Sequence, residues 1–503
     1  MNLSNTLETN ARKFPENEAV IGMGQRLTYK SLNNKVEKLA KGFLRHGISK
    51  ADKIVLFMPN VPEFIVTYFA AHRIEAIIVP INAKSTLAEI KYILENSDAN
   101  AIIVHELLFN VVEHLQGDLL QVKTGAEYPG WLTFDTLQEE YLVALPSSKA
   151  KEDEPCTILY TSGTTGLPKG VLFSHRNIQT VAQMICIEME MKPESRLLLM
   201  MPLSHSAPLH LFMMAGMIVG AAHVLTPTFT PELLLKTVQA EKTTHFFGAP
   251  VAYLLTGKDP NIEVADLSSM KWWVYGGAPL SSGEVLFVKK AFQTENLVCV
   301  YGLTEAGPSG TILLGNEHEK KAGSIGKRAA LFTEIRVVNS EGEDVQVGEV
   351  GEIYLRGEGT MLGYYKNEEA TQATFDGDWL KTGDLGRLDE DGYIFIVDRK
   401  KDLIISGGVN IYPKEIEDSM ITHEAISEVA VVGVPHAEWG ETVKAYFAAN
   451  REVKPDELIG FLSDKLASYK IPKLFEQLEA LPRNASGKIL KQSLRESGVL
   501  NGA

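Results

Sequence analysis

The first 110 residues alternate between two spacings of apolar side chains. From Leu32 to Phe43 the apolar residues recur at helical spacing, with Thr28 able to cap the helix and Gly47 able to end it. Short apolar runs then alternate with further helical patterns, in the order run 53–59, helix 64–71, run 76–80, helix 88–94 and run 101–104. Strands and helices that alternate in this way predict βαβ units, and therefore a parallel sheet with helices on its faces.

Later parts of the chain first repeat this pattern and then depart from it. Between Cys156 and Tyr301, further strand candidates lie at 157–160, 223–225, 245–248 and 272–275. Shorter alternating runs follow, separated by Gly, Asp and Glu, at 334–338, 351–356 and 392–397. These shorter runs are typical of a small antiparallel or barrel-like subdomain. After the charge cluster 398–402 the pattern returns to mixed α and β.

We predict an α/β protein in which residues 1–400 form a large N-terminal domain of parallel α/β subdomains plus a small β-barrel-like subdomain. Residues 401–503 then form a small α+β C-terminal domain, because the charge cluster marks the change in pattern. The length of 503 residues, with 45% hydrophobic and 22% charged residues, agrees with several folded domains. The same composition excludes disordered, collagen-like and coiled-coil chains.

Charge and cysteine content exclude several classes of function. The formal net charge of −15 would repel a polyanion, so no nucleic-acid partner is expected. The chain does not open on a basic segment followed by an apolar one, and no stretch reaches about 20 uncharged apolar residues. We therefore expect neither secretion nor a transmembrane segment, while peripheral membrane contact and the oligomeric state stay open. The three cysteines, Cys156, Cys186 and Cys299, lack disulfide-framework or zinc-site spacing, which favours a reducing, cytoplasmic location.

A loop rich in glycine and hydroxyl groups follows the strand candidate 157–160. Its candidate phosphate-binding residues are Thr161, Ser162, Gly163, Thr164, Thr165, Gly166 and Lys169. The glycines let backbone N–H groups turn inward, the hydroxyls offer further donors, and Lys169 supplies a mobile positive charge. The Walker A template is excluded, because Pro168 stands where it needs glycine and no Ser or Thr follows the lysine. On composition alone, a flexible surface loop explains the segment equally well.

This loop resembles the phosphate-binding signature of the adenylate-forming superfamily, which comprises acyl- and aryl-CoA synthetases, luciferase-like enzymes and peptide-synthetase adenylation domains. Further motifs follow in the order of that family, at 202–205, 275–279, 301–305, 379–384, 398–402, 406–408 and 482–488. The resemblance extends over nearly the whole chain and is strongest to bacterial fatty-acid:CoA ligases. It implies an AMP-forming acid–thiol ligase that uses ATP, Mg²⁺ and CoA. Such an enzyme converts an acid and ATP to acyl-AMP and pyrophosphate, and then acyl-AMP and CoA to acyl-CoA and AMP.

The resemblance also implies which residues bind ATP. It assigns Glu305 to the metal and Thr304 to a phosphate oxygen, and Lys169 helps to neutralise the phosphate charge. A carboxylate together with phosphate oxygens is the usual environment of protein-bound Mg²⁺. It assigns the remainder of the nucleotide to Gly277, Ala278, Pro279, Tyr301, Gly302, Asp384 and Arg399. The Tyr301 ring can stack on adenine, and the last two residues can bind the ribose hydroxyls. Outside this motif order, each residue has an ordinary alternative as a surface carboxylate, core tyrosine or salt-bridge partner.

The second half-reaction is assigned in the same way. In the resembled family, the lysine at the position of Lys488 stabilises charge in adenylation only, and a mobile C-terminal domain then rotates about the position of Lys401. That rotation brings in a loop, here Ser406, Gly407 and Gly408, for thioester formation. The family places a gate between the acyl pocket and the thiol entrance at the position of His205; a buried histidine with a structural role is the alternative.

The substrate is predicted from the segments expected to wall the acyl site, 197–225, 245–253 and 272–273. They contain no Arg, Asp or Glu, so a second carboxylate on the acid would lack a partner and the acid should be neutral and apolar beyond its carboxyl group. A fatty acid is the first hypothesis, although an aryl acid is not separated from it. Free CoA is the expected acceptor, with transfer of acyl-AMP to a carrier protein or to oxygen, or a non-catalytic nucleotide-binding relative, as alternatives.

Overall fold

The computed structural model describes residues 2–146, 151–161, 167–436, 438–483 and 488–500, with side chains as far as residue 497. Within these ranges the helices are α1 (Leu3–Lys13), α2 (Tyr29–Arg45), α3 (Pro62–Arg73), α4 (Leu87–Ser97), α5 (His175–Glu188), α6 (Met214–Val219), α7 (Pro231–Glu241), α8 (Pro250–Gly257), α9 (Ser282–Ala291), α10 (His318–Lys321), α11 (Glu368–Thr374), α12 (Pro413–Met420), α13 (Pro455–Ser463) and α14 (Lys491–Leu500). None of these helices is both long and apolar enough to cross a membrane.

The strands of the first half of the described chain are β1 (Glu18–Gly22), β2 (Gln25–Thr28), β3 (Lys53–Phe57), β4 (Ile77–Pro80), β5 (Ala99–Val104), β6 (Leu120–Lys123), β7 (Leu132–Thr133), β8 (Pro155–Thr161), β9 (Lys169–Ser174), β10 (Arg196–Leu199), β11 (Ala222–Leu225) and β12 (His245–Gly248). Those of the second half are β13 (Trp272–Gly276), β14 (Leu297–Tyr301), β15 (Thr311–Leu313), β16 (Arg328–Ala329), β17 (Thr333–Val338), β18 (Val350–Gly357), β19 (Gly363–Tyr364), β20 (Phe375–Asp376), β21 (Trp379–Leu388), β22 (Ile394–Arg399), β23 (Ile404–Ser406), β24 (Val409–Ile411), β25 (Ile426–His436), β26 (Gly440–Ala449) and β27 (Leu474–Gln477).

The predicted N-terminal βαβ pattern is confirmed. The Thr28 side chain caps α2 by accepting from the N–H of Ser31 at 3.2 Å, and the buried face of that helix holds the predicted apolar residues. Strand β3 pairs in parallel with β4 on one side and β5 on the other, which places Val55 beside Val79 and Ile102. The sheet continues in the order β19-β9-β8-β4-β3-β5-β6-β7. Its buried strands read as continuous apolar runs because helices cover a parallel sheet on both faces.

A second sheet places the later motifs side by side. Its described strands follow the order β16-β15-β14-β13-β12-β10-β11-β1-β2. Strands β13 and β14 are parallel neighbours, with Tyr275 opposite Cys299 and Gly276 opposite Val300. The segments that follow, 277–279 and 302–305, therefore start at the same edge of the sheet, at the carboxyl ends of its strands, where α/β proteins commonly bind ligands.

The remaining sheets agree with the predicted change of pattern. Antiparallel pairing joins β20 to β21 and β21 to β22 in a sheet of order β17-β18-β21-β20, and the last predicted strand runs two residues further than expected, to Arg399. The C-terminal sheet, of order β24-β23-β26-β25 with β27 beside β26, packs its apolar residues with α12 and α13. These elements form the predicted α+β arrangement.

Packing divides the chain into two compact units. The described residues 2–161, 168–335 and 355–380 belong to the larger unit, and residues 336–354 and 381–500 belong to the smaller unit. This division does not test the domain boundary proposed at Lys401, which stays a prediction.

Candidate active site

The stem of the predicted phosphate loop is held by backbone pairing. Thr161 at the end of β8 lies opposite Lys169 at the start of β9, and its hydroxyl donates to the Lys169 carbonyl at 3.4 Å. The Tyr92 hydroxyl donates to the carbonyl of Pro168 at 3.1 Å, which fixes the returning strand. The remaining predicted residues of this loop lie outside the described residues: Ser162, Gly163, Thr164, Thr165 and Gly166.

Tyr364 connects the predicted phosphate lysine with the predicted metal ligand. Its hydroxyl donates to Oε1 of Glu305 at 2.9 Å, and Nζ of Lys169 lies 4.9 Å from the centroid of its ring, within reach of a cation–π interaction. Burial raises the pKa of the Tyr364 phenol, and the charge of Glu305 adds to the increase, so the hydroxyl keeps the proton it donates. The sequence analysis did not identify this tyrosine.

A short strand positions Tyr364. Strand β19 pairs antiparallel with β9, which places Tyr364 opposite Val171, and the N–H of Met361 donates to the carbonyl of Glu305 at 2.9 Å. Gly363 has a φ of +149°, and a Cβ there would lie 2.9 Å from Cγ2 of Thr371. The Tyr364–Glu305 contact joins positions 59 residues apart, so no local pattern predicts it. The local sequence shows only a glycine directly before two tyrosines.

The residue directly after one predicted motif meets a residue of another through their hydroxyl groups. The Ser206 and Thr304 hydroxyl oxygens lie 3.2 Å apart, and Ser206 stands directly before a π-helical segment, Ala207–Met213. Segments of this kind are frequent at functional sites. His205 is exposed, and its Nε2 lies 3.3 Å from Nδ2 of Asn82. The structure therefore does not support a buried structural role for His205, while its role as a gate stays a prediction.

Backbone geometry explains the glycines beside the predicted adenine site. A Cβ on Gly302 would lie 2.0 Å from the carbonyl oxygen of Pro308, so only glycine lets the chain fold back directly after Tyr301. Tyr301 is half-buried at the end of β14. Gly277 has a φ of +89° after the neighbouring strand, which lets Ala278 and Pro279 turn away from the sheet.

In the smaller unit, the two residues predicted for the ribose form an ion pair with each other. Asp384 on β21 lies opposite Arg399 on β22, and Oδ1 of the buried aspartate is 2.6 Å from Nε of the arginine. The N–H of Asp384 also donates to the Thr382 hydroxyl at 3.0 Å. The carboxylate and the guanidinium are thus held side by side, a geometry in which both can face the same sugar.

The predicted hinge lies in a cluster of cations in the same unit. Lys401 is the central residue of a single turn of 3₁₀ helix, and partial burial lowers its pKa to about 8. The neighbouring charges of Arg399, Arg495 and Lys488 contribute to this lowering, and the charge of Asp402 opposes it. Lys488 thus lies close enough to the hinge candidate to act on its charge.

The predicted thioester loop is a tight turn between two strands. Ser406 pairs with Val409 across the β23–β24 hairpin, and Gly407 and Gly408 have φ values of +57° and +81°. The N–H of Gly407 donates to the carbonyl of Trp439 at 2.9 Å. Both positive φ values favour glycine, so the backbone conformation of the turn explains why two glycines stand here.

Aromatic side chains from the three predicted acyl-wall segments make two separate contacts in the larger unit, on opposite faces of the sheet, because Phe246 and Phe247 are successive residues of β12. The rings of Phe212 and Phe247 are 5.5 Å apart, and those of Phe246 and Trp273 are 6.0 Å apart. Phe212, Phe246 and Trp273 are fully buried or nearly so. The region these segments form is apolar and carries no acidic residue and no arginine.

Comparison with known proteins gives concordant results. A protein-family model described as "AMP-binding enzyme" matches residues 7–365, and one described as "AMP-binding enzyme C-terminal domain" matches residues 415–488. A feruloyl-CoA synthase from an Amycolatopsis species is 35% identical over 491 residues, with 96% of each chain covered. The long-chain-fatty-acid–CoA ligase FadD13 of Mycobacterium tuberculosis is 34% identical over 481 residues, covering 94% of this chain and 93% of its own. The solved structure of O-succinylbenzoate CoA synthetase (MenE) from Bacillus subtilis, in complex with ATP and a magnesium ion, is similar with a TM-score of 0.86 and 28% identity, covering 97% of this chain and 99% of its own.

Proposed function

This chain belongs to the AMP-binding enzyme family, and we propose that it joins a neutral, apolar carboxylic acid, first of all a fatty acid, to CoA. Acid–thiol ligases of this family are AMP-forming and use ATP, Mg²⁺ and CoA. The observation that carries the proposed substrate class is the contact between Phe212 and the half-buried Phe247, in segments free of Arg, Asp and Glu. A second carboxylate buried there would have no cationic partner, which disfavours dicarboxylic acids.

In the first half-reaction, a carboxylate oxygen of the acid attacks the α-phosphorus of ATP, and the bond from that phosphorus to pyrophosphate breaks. Lys169 and Thr304 stabilise charge on the phosphate oxygens, and Glu305 holds the metal. The chemistry of Glu305 fits this role, because Mg²⁺ prefers oxygen ligands. Tyr364 donates to only one carboxylate oxygen of Glu305, and a carboxylate can accept several bonds, so it can still bind a metal ion. When bound, Mg²⁺ supplies charge neutralisation at the phosphates. Tyr301 stacks on adenine, and the Asp384–Arg399 pair binds the ribose.

In the second half-reaction, the CoA thiol loses its proton to solvent, its sulfur attacks the acyl carbonyl carbon, the bond from that carbon to the phosphate oxygen breaks, and AMP leaves. Lys488 serves the first half-reaction, and a backbone rotation at Lys401 exchanges it for the Ser406–Gly408 loop. The position of Lys401 supports this assignment, since it is the exposed central residue of the short turn between β22 and β23. His205, exposed beside Asn82, acts as the gate between acid and thiol.

An aryl acid is the second candidate substrate. One relative of 35% identity is named a feruloyl-CoA synthase, and stacked aromatic side chains such as Phe212 and Phe247 can also pack against an aromatic acid. A cytoplasmic location is part of the same proposal. It is supported by the cysteines Cys156, Cys186 and Cys299, which are buried and free as in proteins of a reducing compartment.

A panel of acids tests this proposal. Saturated fatty acids of increasing chain length, ferulate, benzoate and two dicarboxylates are each assayed for AMP release with and without CoA, and thioesters are identified by mass. We expect CoA-dependent AMP release with monocarboxylic acids and none with dicarboxylates. Efficient turnover of ferulate alone would favour the second candidate. Acyl-AMP that forms but is not consumed by CoA would point to a carrier protein as acceptor.

A further inference from the structure

Three potential metal ligands meet in the core of the larger unit, outside the residues proposed for catalysis. A ring nitrogen of His72, Sγ of Cys156 and a ring nitrogen of His175 all lie within 4.8 Å of one another. Their exposed fractions are 0%, 1% and 2%. The spacing of cysteines along the sequence gave no sign of this cluster, because its members come from three separate elements.

The parallel sheet brings these residues together. His72 lies near the end of α3, and the strand that follows this helix, β4, pairs with β8, which carries Cys156 near its start. His175 is the first residue of α5, directly after β9, the antiparallel partner of β8. The cluster therefore joins α3 and the start of α5 to β8, the strand that leads into the predicted phosphate loop.

His72 differs from the ordinary buried histidines of this protein. Among the described residues, neither its Nδ1 nor its Nε2 has a hydrogen-bond partner. The equally buried His223 is satisfied at both nitrogens, by the carbonyl oxygens of Ala19 and Met213, each at 2.9 Å. A buried imidazole without partners is costly and calls for a ligand. The neighbouring Cys156 and His175 offer a sulfur and a nitrogen, so one metal ion could bind these two atoms and a ring nitrogen of His72.

The other two members are weakly engaged. Nδ1 of His175 accepts from the N–H of Leu3 at 3.4 Å, a long contact that metal binding could replace. The Thr157 hydroxyl donates to Sγ of Cys156 at 3.7 Å, a direction of donation that stabilises a thiolate.

We propose that His72, Cys156 and His175 form a structural binding site for a soft closed-shell metal ion, Zn²⁺ or Cu⁺. Two imidazole nitrogens and one thiolate are ligands that both ions accept. Bond lengths of about 2.0 Å to nitrogen and 2.3 Å to sulfur place tetrahedral ligand atoms roughly 3.5 Å apart. The present separations of at most 4.8 Å therefore need closure by about 1 Å, which side-chain rotation can supply.

Charge distinguishes the two ions. Cu⁺ with one thiolate and two neutral imidazoles is neutral, which suits an apolar core, whereas Zn²⁺ leaves one positive charge and an open fourth position. Tyr68 is available for that position. It precedes His72 by one helical turn, and the centroids of the two rings are 4.5 Å apart. Its buried hydroxyl has no hydrogen-bond partner among the described residues. The proposal does not depend on the proposed function.

The test uses full-length protein without an affinity tag. Metal content is measured by plasma mass spectrometry in the wild type, Cys156→Ser, His72→Gln and the control Cys186→Ser, which removes another buried free thiol. We expect about one ion per chain in the wild type and the control, and less than about a tenth in the other two. The metal-free chain is then titrated with Co²⁺, read from its thiolate charge-transfer band, and anaerobically with Cu⁺ against a competing chelator.

The wild-type measurements decide the outcome even if a variant fails to fold. Retained Zn²⁺ or Cu⁺, or a cobalt–thiolate band with a raised Tm on metal addition, supports the site and identifies the ion. The proposal is overturned if folded, active wild type retains neither ion, gives no such band and shows no shift in Tm. It is equally overturned if a folded Cys156→Ser or His72→Gln chain keeps the metal and the band.

Discussion

A single phenol hydroxyl shows how residue-level contacts shape the proposed site. Tyr364 donates to Glu305 and presents its ring face to Lys169, so one side chain orients both a carboxylate and a cation. Hydrogen bonds to charged groups contribute more than neutral ones, about 1.5–3 kcal/mol each. If Glu305 binds the metal as proposed, Tyr364 is a positioning residue, and its loss is expected to change metal use more than catalysis.

Replacing Glu305 tests the metal assignment directly. Glu305→Gln removes the carboxylate charge at nearly constant volume, and we expect Mg²⁺-dependent activity to fall by roughly 100-fold or more with the fold intact. AMP release over a Mg²⁺ titration, with circular dichroism as the folding control, measures this. An unchanged Mg²⁺ dependence and rate would mean that the carboxylate is structural.

Removing the Tyr364 hydroxyl should have a narrower effect. Tyr364→Phe keeps the ring beside Lys169 but loses the bond to Glu305, so we expect the Mg²⁺ concentration for half-maximal rate to rise roughly tenfold, with a smaller change in kcat. The matched control is Tyr365→Phe, whose hydroxyl donates to Asp98 at 3.3 Å. Equal changes in both variants would assign the hydroxyl a general structural role.

Assaying the two half-reactions independently tests whether Lys488 acts in the first one only. We expect Lys488→Ala to lose nearly all acyl-AMP formation from acid and ATP, yet to convert supplied acyl-AMP and CoA to thioester, because its charge serves the first step only. The control is Lys473→Ala, an exposed lysine of the same unit. Comparable losses in both half-reactions would contradict an exchange of this lysine between the steps.

At the scale of elements, short turns and strands position the residues proposed for the site. Strand β19 pairs with β9 to place Tyr364, and the glycine turn after β14 places Thr304 and Glu305. The turn Lys400–Asp402 directly follows β22, whose last residue, Arg399, pairs with Asp384. A backbone rotation within this turn would start immediately after a residue held by an ion pair.

Proline tests the hinge at Lys401. Lys401→Pro fixes φ near roughly −65° and removes an N–H, so we expect the first half-reaction to stay within about tenfold of wild type while most thioester formation is lost. Lys401→Ala is the matched control, since it removes the same charge but leaves the backbone free. Thermal unfolding checks the fold, and wild-type thioester formation in the proline variant would rule out rotation at this residue.

At the scale of the whole molecule, an ion-pair network ties distant elements of the larger unit together. Glu18 on β1 and Glu241 on α7 each contact both Arg26 and Arg196, at 2.6 to 2.9 Å. Hydrogen bonds from Arg26, ahead of those from Arg196, lower the pKa of both carboxyl groups in the folded protein. Their contribution to stability is therefore complete above the unfolded carboxyl pKa and is lost as the pH falls through the folded value.

This network predicts a pH-dependent cost of mutation. We expect Arg196→Gln to lower the free energy of unfolding by about 1 kcal/mol near pH 7, and the Tm by roughly 1–3 °C, with the difference shrinking below about pH 4. Arg176→Gln, at an exposed pair with Asp153, is the control and should change the Tm less. A difference that stays constant as the pH falls from 7 to well below 4 would show that packing, not charge, is responsible.

The sequence by itself determined the elements and the order of the motifs. Helix α2 with its Thr28 cap, the buried strands β3 to β5 and the antiparallel region from β17 to β22 follow from periodicity and turn chemistry, which act between residues near in sequence. The roles of Thr304 and Glu305 were predicted from the family resemblance, and local chemistry added support only for Lys169 in its glycine-rich loop.

Only the tertiary structure decided which side chains meet. The Tyr364–Glu305 bond, the Ser206–Thr304 contact and the His72–Cys156–His175 cluster each join positions far apart in sequence. Strand order and register create such contacts, and neither is written in the spacing of any one segment. Apolar periodicity specifies that a strand is buried, but the neighbour it pairs with depends on the packing of the whole sheet.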